Sequence, residues 1–513
     1  MSLLDQVNNW ARERVWTWLQ EGQTGMLVSQ DERKSQSKVI LARRYYDGDH
    51  EVKLTDRQKK FLELHGSDTQ FNVNHCPTVI DAAVERLQVI GFDVSDEREE
   101  EDSEKTVSGR LWKWWQLNRM DAVQTEAHRW ALRDGEAFVL IAWDNQKGRP
   151  DWVLHPRYTA PTVKGGTGYG VWMNYPNNDY LQPPEYAVKE WEEKDEKGNK
   201  VARRTVYYPD RIEKFIRDDR RWKRHMDKGD GDVWPIPWLM PDGSPIGIPV
   251  AHLKAPSLKS ILRDAIPLQD LLNKAWLDLI AGADTGAFRS LIMLGWMPTT
   301  DGKEPKADGS NLLKSAPGQI IGTPKEKDKA GVEVIDPAPL TPLLELEERI
   351  VLRIASMTRT PLSRFNTTRQ IAGAETLKQQ DAPLLGRVRE NMTLFGNGWE
   401  DLMILSLRMG AVFGGMSMDT ETQINTVWED AAIRDEKTFL EGQETKKGLG
   451  VDDETLWTEM GYDKQHRDRF KRQKLRQRAD DLRAAARTQN QQFQQQGASL
   501  NGNGIGQPAA AAA

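Results

Sequence analysis

The chain has a single cysteine, Cys76, in 513 residues. One thiol closes no intrachain disulfide and supplies no multi-cysteine metal site, which excludes disulfide scaffolds and cysteine-rich zinc folds. Cys76 precedes Pro77 in an apolar segment, the setting of an ordinary packed thiol rather than a nucleophile. Long apolar runs are missing as well. No stretch approaches the length of a membrane-spanning helix, and even Met403–Met416 is broken by Arg408 and three glycines. The N-terminus (MSLLDQVNNWARERVW) spreads charges through an amphipathic pattern and is not a signal peptide. Nor is there an excess of positive charge. The 71 Lys and Arg against 77 Asp and Glu leave −6, which alone argues against a protein dedicated to gripping duplex DNA. These absences predict a soluble protein made in a reducing cytoplasm.

Catalytic signatures are lacking too. Gly302-Lys303-Glu304 has neither the spacing nor the hydroxyl of a phosphate-binding loop. No HExxH, G-x-S-x-G or Rossmann glycine pattern occurs. Asp47-Gly48-Asp49-His50 offers carboxylates and an imidazole to a divalent metal, and a metal-dependent nuclease would use Asp47, Asp49 and His50. An ordinary turn explains the run better, with Gly taking positive φ and Asp bonding nearby amides. Gly229-Asp230-Gly231-Asp232 reads the same way. We assign no catalytic, cofactor-binding or metal residue, and expect no cofactor and no enzyme.

Among what is present, nineteen tryptophans stand out, with Trp112, Trp114 and Trp115 nearly consecutive. Packing within or between subunits is preferred to base stacking for them. Residues 1–65 read as helices, with Val39, Leu41, Ala42 and Tyr45 at helical spacing, ended by the Asp47-Gly48 turn. Asn74 or Thr78 caps a helix through Leu87, which Gly91 ends before a strand at Phe92–Val94. The acidic run Asp96–Glu104 is a solvated loop or helix start, and a Trp-rich helix pair covers Val107–Asp134. Short β-type runs follow at Ala137–Trp143, Trp152–His155, Tyr186–Trp191 and Val201–Tyr208. Glu190–Arg204 has the alternating charges of an exposed hairpin, and Ile248-Pro249-Val250 closes the β region.

The most informative stretch is Ser257–Gly410. After a short helix at Leu258–Arg263, a helical run at Ile266–Phe288 places Pro267 in its first turn, where proline escapes its usual cost of ~3 kcal/mol. Its pattern buries Leu268, Leu271, Leu272, Ala275, Leu279 and Trp276, leaving Asp270, Asn273, Lys274 and Asp278 wet. Strand candidates come next at Leu291–Leu294, Gln319–Thr323 and Val332–Ile335. A return helix at Pro342–Met357 sets Leu344, Leu346, Ile350, Val351 and Ile354 beside Glu345, Glu347 and Glu348. A polar loop, Arg359–Gln370, leads into a long helix from Ala372 to Ala411 that Pro383 should kink or split. This order is how a ring subunit lines a channel. Farther on, Gly448-Leu449-Gly450 is a break, Asp452 or Asp453 caps a short helix, and a basic helix runs from Lys464 to Arg487. For that helix a solvated face is favoured over a nucleic-acid contact. From Asn490 the low-complexity sequence reads as disordered.

Several blocks together resemble the portal proteins of long-tailed double-stranded DNA phages. Tyr45-Tyr46-Asp47-Gly48-Asp49-His50 is similar to the family's Tyr-Tyr-x-Gly-type turn. Phe71-Asn72-Val73-Asn74-His75-Cys76-Pro77 matches its Asn-rich helix entry, followed by Val84-Glu85-Arg86-Leu87 and Gly91-Phe92. Ala372-Gly373-Ala374-Glu375-Thr376-Leu377 resembles the start of its long helix. Val427-Trp428-Glu429-Asp430 and Gly450-Val451-Asp452-Asp453-Glu454-Thr455 resemble its closing blocks. The likeness spans Ile40–Asp463; the charged stretch near Glu190–Arg204 and the Gln/Ala-rich tail depart from it.

The resemblance implies an α+β ring subunit in a dodecamer at one capsid vertex. Its wing would be 1–256, continued by a long wing helix and return at 372–429. Stem helices would be 257–290 and 341–358, the clip 291–340, the channel loop 359–371, the crown 430–489 and a disordered tail 490–513. Implied partners are the terminase large subunit, a head-completion adaptor, major capsid and scaffolding proteins, and double-stranded DNA held without sequence specificity. No membrane is implied, and assembly in the host cytoplasm into the virion is. The channel-loop DNA contacts would be Arg364, Asn366, Thr367, Thr368, Arg369 and Gln370, and the acidic stem Glu345, Glu347 and Glu348. Twelve chains at −6 would carry about −72, which repels phosphate rather than trapping it, as a conduit requires. The alternatives are a minor head or tail protein without DNA passage, and the nuclease.

Overall fold

The computed structural model describes residues 30–50, 73–95, 106–158, 170–194, 198, 200–218, 221–227, 233–286, 290–294, 320–323, 332–335, 339–365, 374–416, 423–432, 436–462 and 464–501. In chain order, α1 (Gln30–Asp47) and α2 (Cys76–Val84) precede β1 (Val89–Val94), α3 (Val107–Leu117) and α4 (Met120–Asp134). Strands β2 (Glu136–Asp144), β3 (Arg149–Pro156), β4 (Val171–Asn174), β5 (Tyr186–Lys194), β6 (Lys200–Tyr207), β7 (Arg211–Asp218), β8 (Arg221–Arg224), β9 (Ile236–Pro237) and β10 (Val250–Lys254) follow. Then come α5 (Ile266–Gly286), β11 (Ser290–Leu294), β12 (Ile320–Thr323), β13 (Val332–Ile335), α6 (Thr341–Met357) and α7 (Ala374–Phe413). The chain closes with β14 (Ile424–Trp428), α8 (Glu436–Gly448), α9 (Asp453–Glu459) and α10 (Lys464–Asn501). Helices and sheets coexist in a mixed α+β chain. It divides into two compact units, Met1–Leu87 with Ala122–Met418, and Gln88–Asp121 with Asp419–Ala513.

In the first unit β2 lies between β10 and β3, all antiparallel, and a larger antiparallel sheet runs β4-β5-β6-β7-β8 with β9 on β7. The period-two alternation of β5 divides its neighbours between two cores. Ala187 joins Phe138, Val171, Ile248 and Val250, while Val188 joins Val206, Tyr208 and Phe215. The β region does not close at Val250, because Val250–Lys254 is itself a strand paired along β2. Nor is the whole charged hairpin exposed. Glu190 and Arg204 face each other across β5 and β6 as a buried ion pair, with the guanidinium over Trp222.

Helix α7 packs on β10 because Gly398 has no side chain. A Cβ there would stand 2.7 Å from the carbonyl oxygen of His252. The helix runs through Pro383 as one element, so of the two expected outcomes, a kink or a split, the split does not occur. Trp399 on it donates to Nε2 of the fully buried His128, whose Nδ1–H reaches the carbonyl of Leu87. That fixes a neutral ring, and burial pushes its pKa down to about 3.

Helices α5 and α6 pack together, and Gly282 lets them close: a Cβ there would lie 3.0 Å from Leu340. Three strands lie between them, β11 parallel to β12 and antiparallel to β13, close to the predicted limits. The short helix expected at Leu258–Arg263 is instead one 3-10 turn, Pro256–Leu258, with Ser257 and Leu258 at positive φ.

In the second unit β1 pairs with β14. Gly91 lies inside β1 and does not end a helix; it leaves room for the buried Arg467, whose guanidinium would be 2.7 Å from a Cβ at that position. Trp112, Trp114 and Trp115 are buried on α3, where Trp112 stacks on Trp115 and both meet Phe92. Packing, not base stacking, employs them. Asp452 caps α9 by accepting from the Thr455 amide, and Gly450 and Gly461 take positive φ at the two breaks. Helix α10 continues to Asn501, beyond Asn490 where disorder is expected from composition. Asp96–Glu104, the Gly229–Asp232 turn and the first 29 residues lie outside the described residues.

Candidate functional site

The region that best combines the sequence motifs is the root of the helix pair α5 and α6, with the turn that follows α6. Helix α5 carries Gln269 and Asn273 one turn apart, and both are fully buried. A buried amide needs partners, since an unmet one costs about 1–3 kcal/mol. Backbone supplies them. Gln269 Oε1 accepts from the His75 amide at 3.0 Å, and its Nε2 donates to the Val73 carbonyl. Asn273 Oδ1 accepts from the Val73 amide at 3.1 Å, and its Nδ2 donates to Nε2 of His50 at 3.2 Å.

A second layer ties in the Tyr-Tyr turn. The Tyr45 ring stacks on His50 at 4.0 Å, its hydroxyl donates to Asp270, and Asn74 Nδ2 donates to the Tyr45 carbonyl at 2.7 Å. Gly48, at φ +74, makes the turn. The Tyr-Tyr block and the Asn-rich block are therefore one polar assembly around the start of α5. Burial first, then the Asp270 carboxylate, raises the Tyr45 hydroxyl pKa, and the same two causes push the Cys76 thiol up to about 12. Cys76 is a packed, unreactive thiol.

The nuclease grouping does not form. Asp47 and Asp49 are exposed, whereas His50 is buried and occupied by Tyr45 and Asn273. Among the described residues no three His, Cys, Asp or Glu are arranged to hold a metal, and no helix is long and apolar enough to cross a membrane.

On α6 the apolar set divides. Ile350, Val351 and Ile354 are buried, but Leu344 and Leu346 are exposed. Leu271 of α5, expected inside, is exposed too, and Asn273, expected wet, is buried. Glu345 and Glu348, three apart and thus on one face, are exposed. Glu347 is half-buried; that burial, then the charge of Glu348, raises its pKa.

After α6 the chain turns sharply at Arg359, at φ +51. Thr358 Oγ1 donates to the Ile354 carbonyl at 2.7 Å. Arg387 of α7, buried, donates to the Thr358 carbonyl and, at 3.2 Å, to that of Val79. Burial, then the charge of Arg359, pushes its pKa down to about 10, so it stays cationic at neutral pH. Arg86 and Asp381 pair at 2.9 Å beside this turn. Phe365 sits edge-on to His75 at 5.4 Å, and Arg364 meets Glu85 at 2.9 Å on the surface. Of the six loop residues singled out from sequence, only Arg364 is described; Asn366, Thr367, Thr368, Arg369 and Gln370 lie outside the described residues.

Gln269, Asn273, Arg86, Asp381 and Arg387 were not legible as functional positions. The one signal was two amides four apart on an otherwise apolar helix face.

Comparison with known proteins gives the same direction as the motifs. Residues 28–487 match the model of the family described as phage portal protein, SPP1 Gp6-like. The portal protein of Mycobacterium phage D29 is 24% identical over 404 residues, covering 77% of this chain and 76% of that protein. The portal protein of Mycobacterium phage L5 is 23% identical over 416 residues, with the same coverage. With the family match running through both compact units and through the Tyr-Tyr turn, the Asn-rich entry and the helix pair they brace, this chain belongs to the phage portal protein family.

Proposed function

We propose that twelve copies of this chain form a ring at one capsid vertex, the conduit through which double-stranded DNA is packaged and later ejected. The observation that carries this is the family match across 28–487. In this reading α5 and α6 are the stem, the β11–β13 sheet is the clip, and the segment from Arg359 to Gln370 is the channel loop. Helix α7 is the long wing helix, and 430–489 include the crown. The clip is the docking site for the terminase large subunit and then the head-completion adaptor. The wing and crown meet the major capsid and scaffolding proteins. The subunit is a structural component of the virion, not an enzyme.

Two features support the assignment. A ring closes by a head-to-tail interface, which needs two different adhesive faces on each subunit. Leu271, Leu344, Leu346, Leu352 and Met357 are exposed on the two stem helices of the single chain, surface that a neighbour would cover. Glu345 and Glu348 give the stem an acidic face that would repel DNA sliding past it. No observation favours a minor head or tail protein.

Electron micrographs and native mass measurements of the purified protein test the proposal. Closed rings of twelve or thirteen subunits, with a channel wide enough for duplex, are expected. Monomers alone, across a range of salt and protein concentration, would overturn it.

A further inference from the structure

Helix α10 has two faces of opposite character. On one, the cations opposite α9 have assigned contacts, while Arg478 farther along that face is exposed. Lys471 pairs with Glu454 and Lys474 with Asp453, both on α9, and Arg467 donates to Thr458 at 2.6 Å. Phe470 on the same face packs against Trp457 and Tyr462. The opposite face holds His466, Arg469, Arg472, Gln473 and Arg476, which line one open groove. All five are exposed.

Arg469, Arg472 and Arg476 have no ion-pair partner among the described residues; Arg472 makes one bond, to its own helix at the Asp468 carbonyl. Beyond them the same face continues through Arg483 and Arg487, about four and five helical turns after Arg469. Only Asp480 interrupts it, and Asp480 is engaged by Arg483 at 3.5 Å. At 1.5 Å per residue the stripe from Arg469 to Arg487 is about 27 Å long. From Lys464 to Asn501 there are ten Lys or Arg against three Asp, a local charge of +7 in a chain whose total is −6.

We propose that this arginine stripe binds the phosphate backbone of double-stranded DNA, a contact separate from the channel loop. Guanidinium forks match phosphate oxygens, and exposed arginines a helical turn apart can reach successive phosphates of one strand. Gln473, between them, is a further donor. The stripe contains no apolar anchor, since Leu475 and Leu482 lie on the other side of the helix, so a docked acidic protein would find charge but no hydrophobic hold. It binds without sequence preference, because nothing in it is shaped to reach base edges. The proposal rests on the portal reading only in that the subunit meets DNA.

The test is binding of a short labelled duplex to the full-length protein, followed by fluorescence anisotropy over a salt series. The wild type is compared with a triple variant, Arg469→Gln, Arg472→Gln and Arg476→Gln, and with the corresponding triple Lys variant. The Gln variant should assemble and melt like the wild type, bind at least about tenfold more weakly at low salt, and show a log–log salt slope shallower by about 3. The Lys variant should keep most of the slope, since it keeps the charge. Unchanged affinity and slope in the Gln variant would overturn the proposal. So would a poly-glutamate peptide of equal charge that displaces duplex at equal concentration, which would assign the stripe to an acidic protein. Failure of the wild type to form rings while the stripe still governs duplex binding would count against the portal reading and leave this one standing.

Discussion

The start of α5 and the exposed length of α10 make opposite use of polar side chains. On α5, Gln269 and Asn273 turn inward and are consumed by the backbone of Val73 and His75. On α10, Arg469, Arg472 and Arg476 turn outward, with no ion partner among the described residues. Both sets recur at helical spacing, and composition alone would rank both as solvated. What separates them is whether a distant part of the chain brings unmet donors and acceptors to that face. Polar groups so matched hold structure together, and polar groups left unmatched are available to a partner.

The largest effect should come from breaking the matched side. Asn273→Leu, close in volume, leaves the Val73 amide and the His50 ring without their partner, and should destabilise the first unit by about 2–4 kcal/mol. Thermal or urea melting checks this, and an unchanged midpoint would show that Asn273 is dispensable. Acid should act almost as strongly. His128 is buried and His155 half-buried, and burial lowers them to about 3 and about 4. The folded state therefore binds fewer protons than the unfolded one below about pH 6.5, and stability falls as pH drops from there towards 4. His128 alone should remove about 3 kcal/mol by about pH 4. Glu136 adds a further loss below about 4.5. Burial would raise it, but Arg157 and His252 outweigh burial and hold it at about 2. A melting temperature flat between pH 7 and pH 4 would contradict these neutral rings.

Removing Leu291–Ala338 and joining α5 to α6 by a short turn should leave the first unit folded and abolish docking of the terminase large subunit and the head-completion adaptor. A ring so trimmed that still captured both would move docking elsewhere. On the unmatched side the effects on stability should be smallest. Arg364→Glu breaks only a surface pair with Glu85, a loss of at most about 1 kcal/mol, yet combined with Arg369→Glu it should impair DNA packaging in a salt-dependent way. Normal packaging by assembled mutant rings at several ionic strengths would remove the loop from the DNA path.

How much could be read in advance follows from the same contrast. The predicted helix Ile266–Phe288 is observed as Ile266–Gly286, and Pro342–Met357 as Thr341–Met357. Long apolar periodicity and a proline in the first turn mark such helices from local sequence. Strands β11 to β13 are legible as short β-type runs. Asn273 was read as wet because helical periodicity treats a polar side chain as solvent-facing, and its partner Val73 lies 200 residues earlier. Gly91 looked like a helix end because the reason for a glycine there, the buried Arg467, is far along the chain. β10 was missed because its apolar run is short and its identity as a strand depends on pairing with β2. Of the site, the two motif blocks were visible as separate signals, while their union around α5 was not.

Helix α7 carries one more implication. Forty residues of unbroken helix make a rod about 60 Å long. Within the first unit it is fastened at intervals, by Arg387 to Thr358 and Val79, by Trp399 to His128, by the close seat of Gly398 on β10, by Ser406 accepting from Trp152, and by Arg408 to the Ile246 carbonyl. A beam clamped along its length does not hinge. In the proposed ring, any change in bore during DNA passage would then be taken up by the segments that leave its ends, and a push delivered at Arg387 would reach the sheet as displacement of the whole rod.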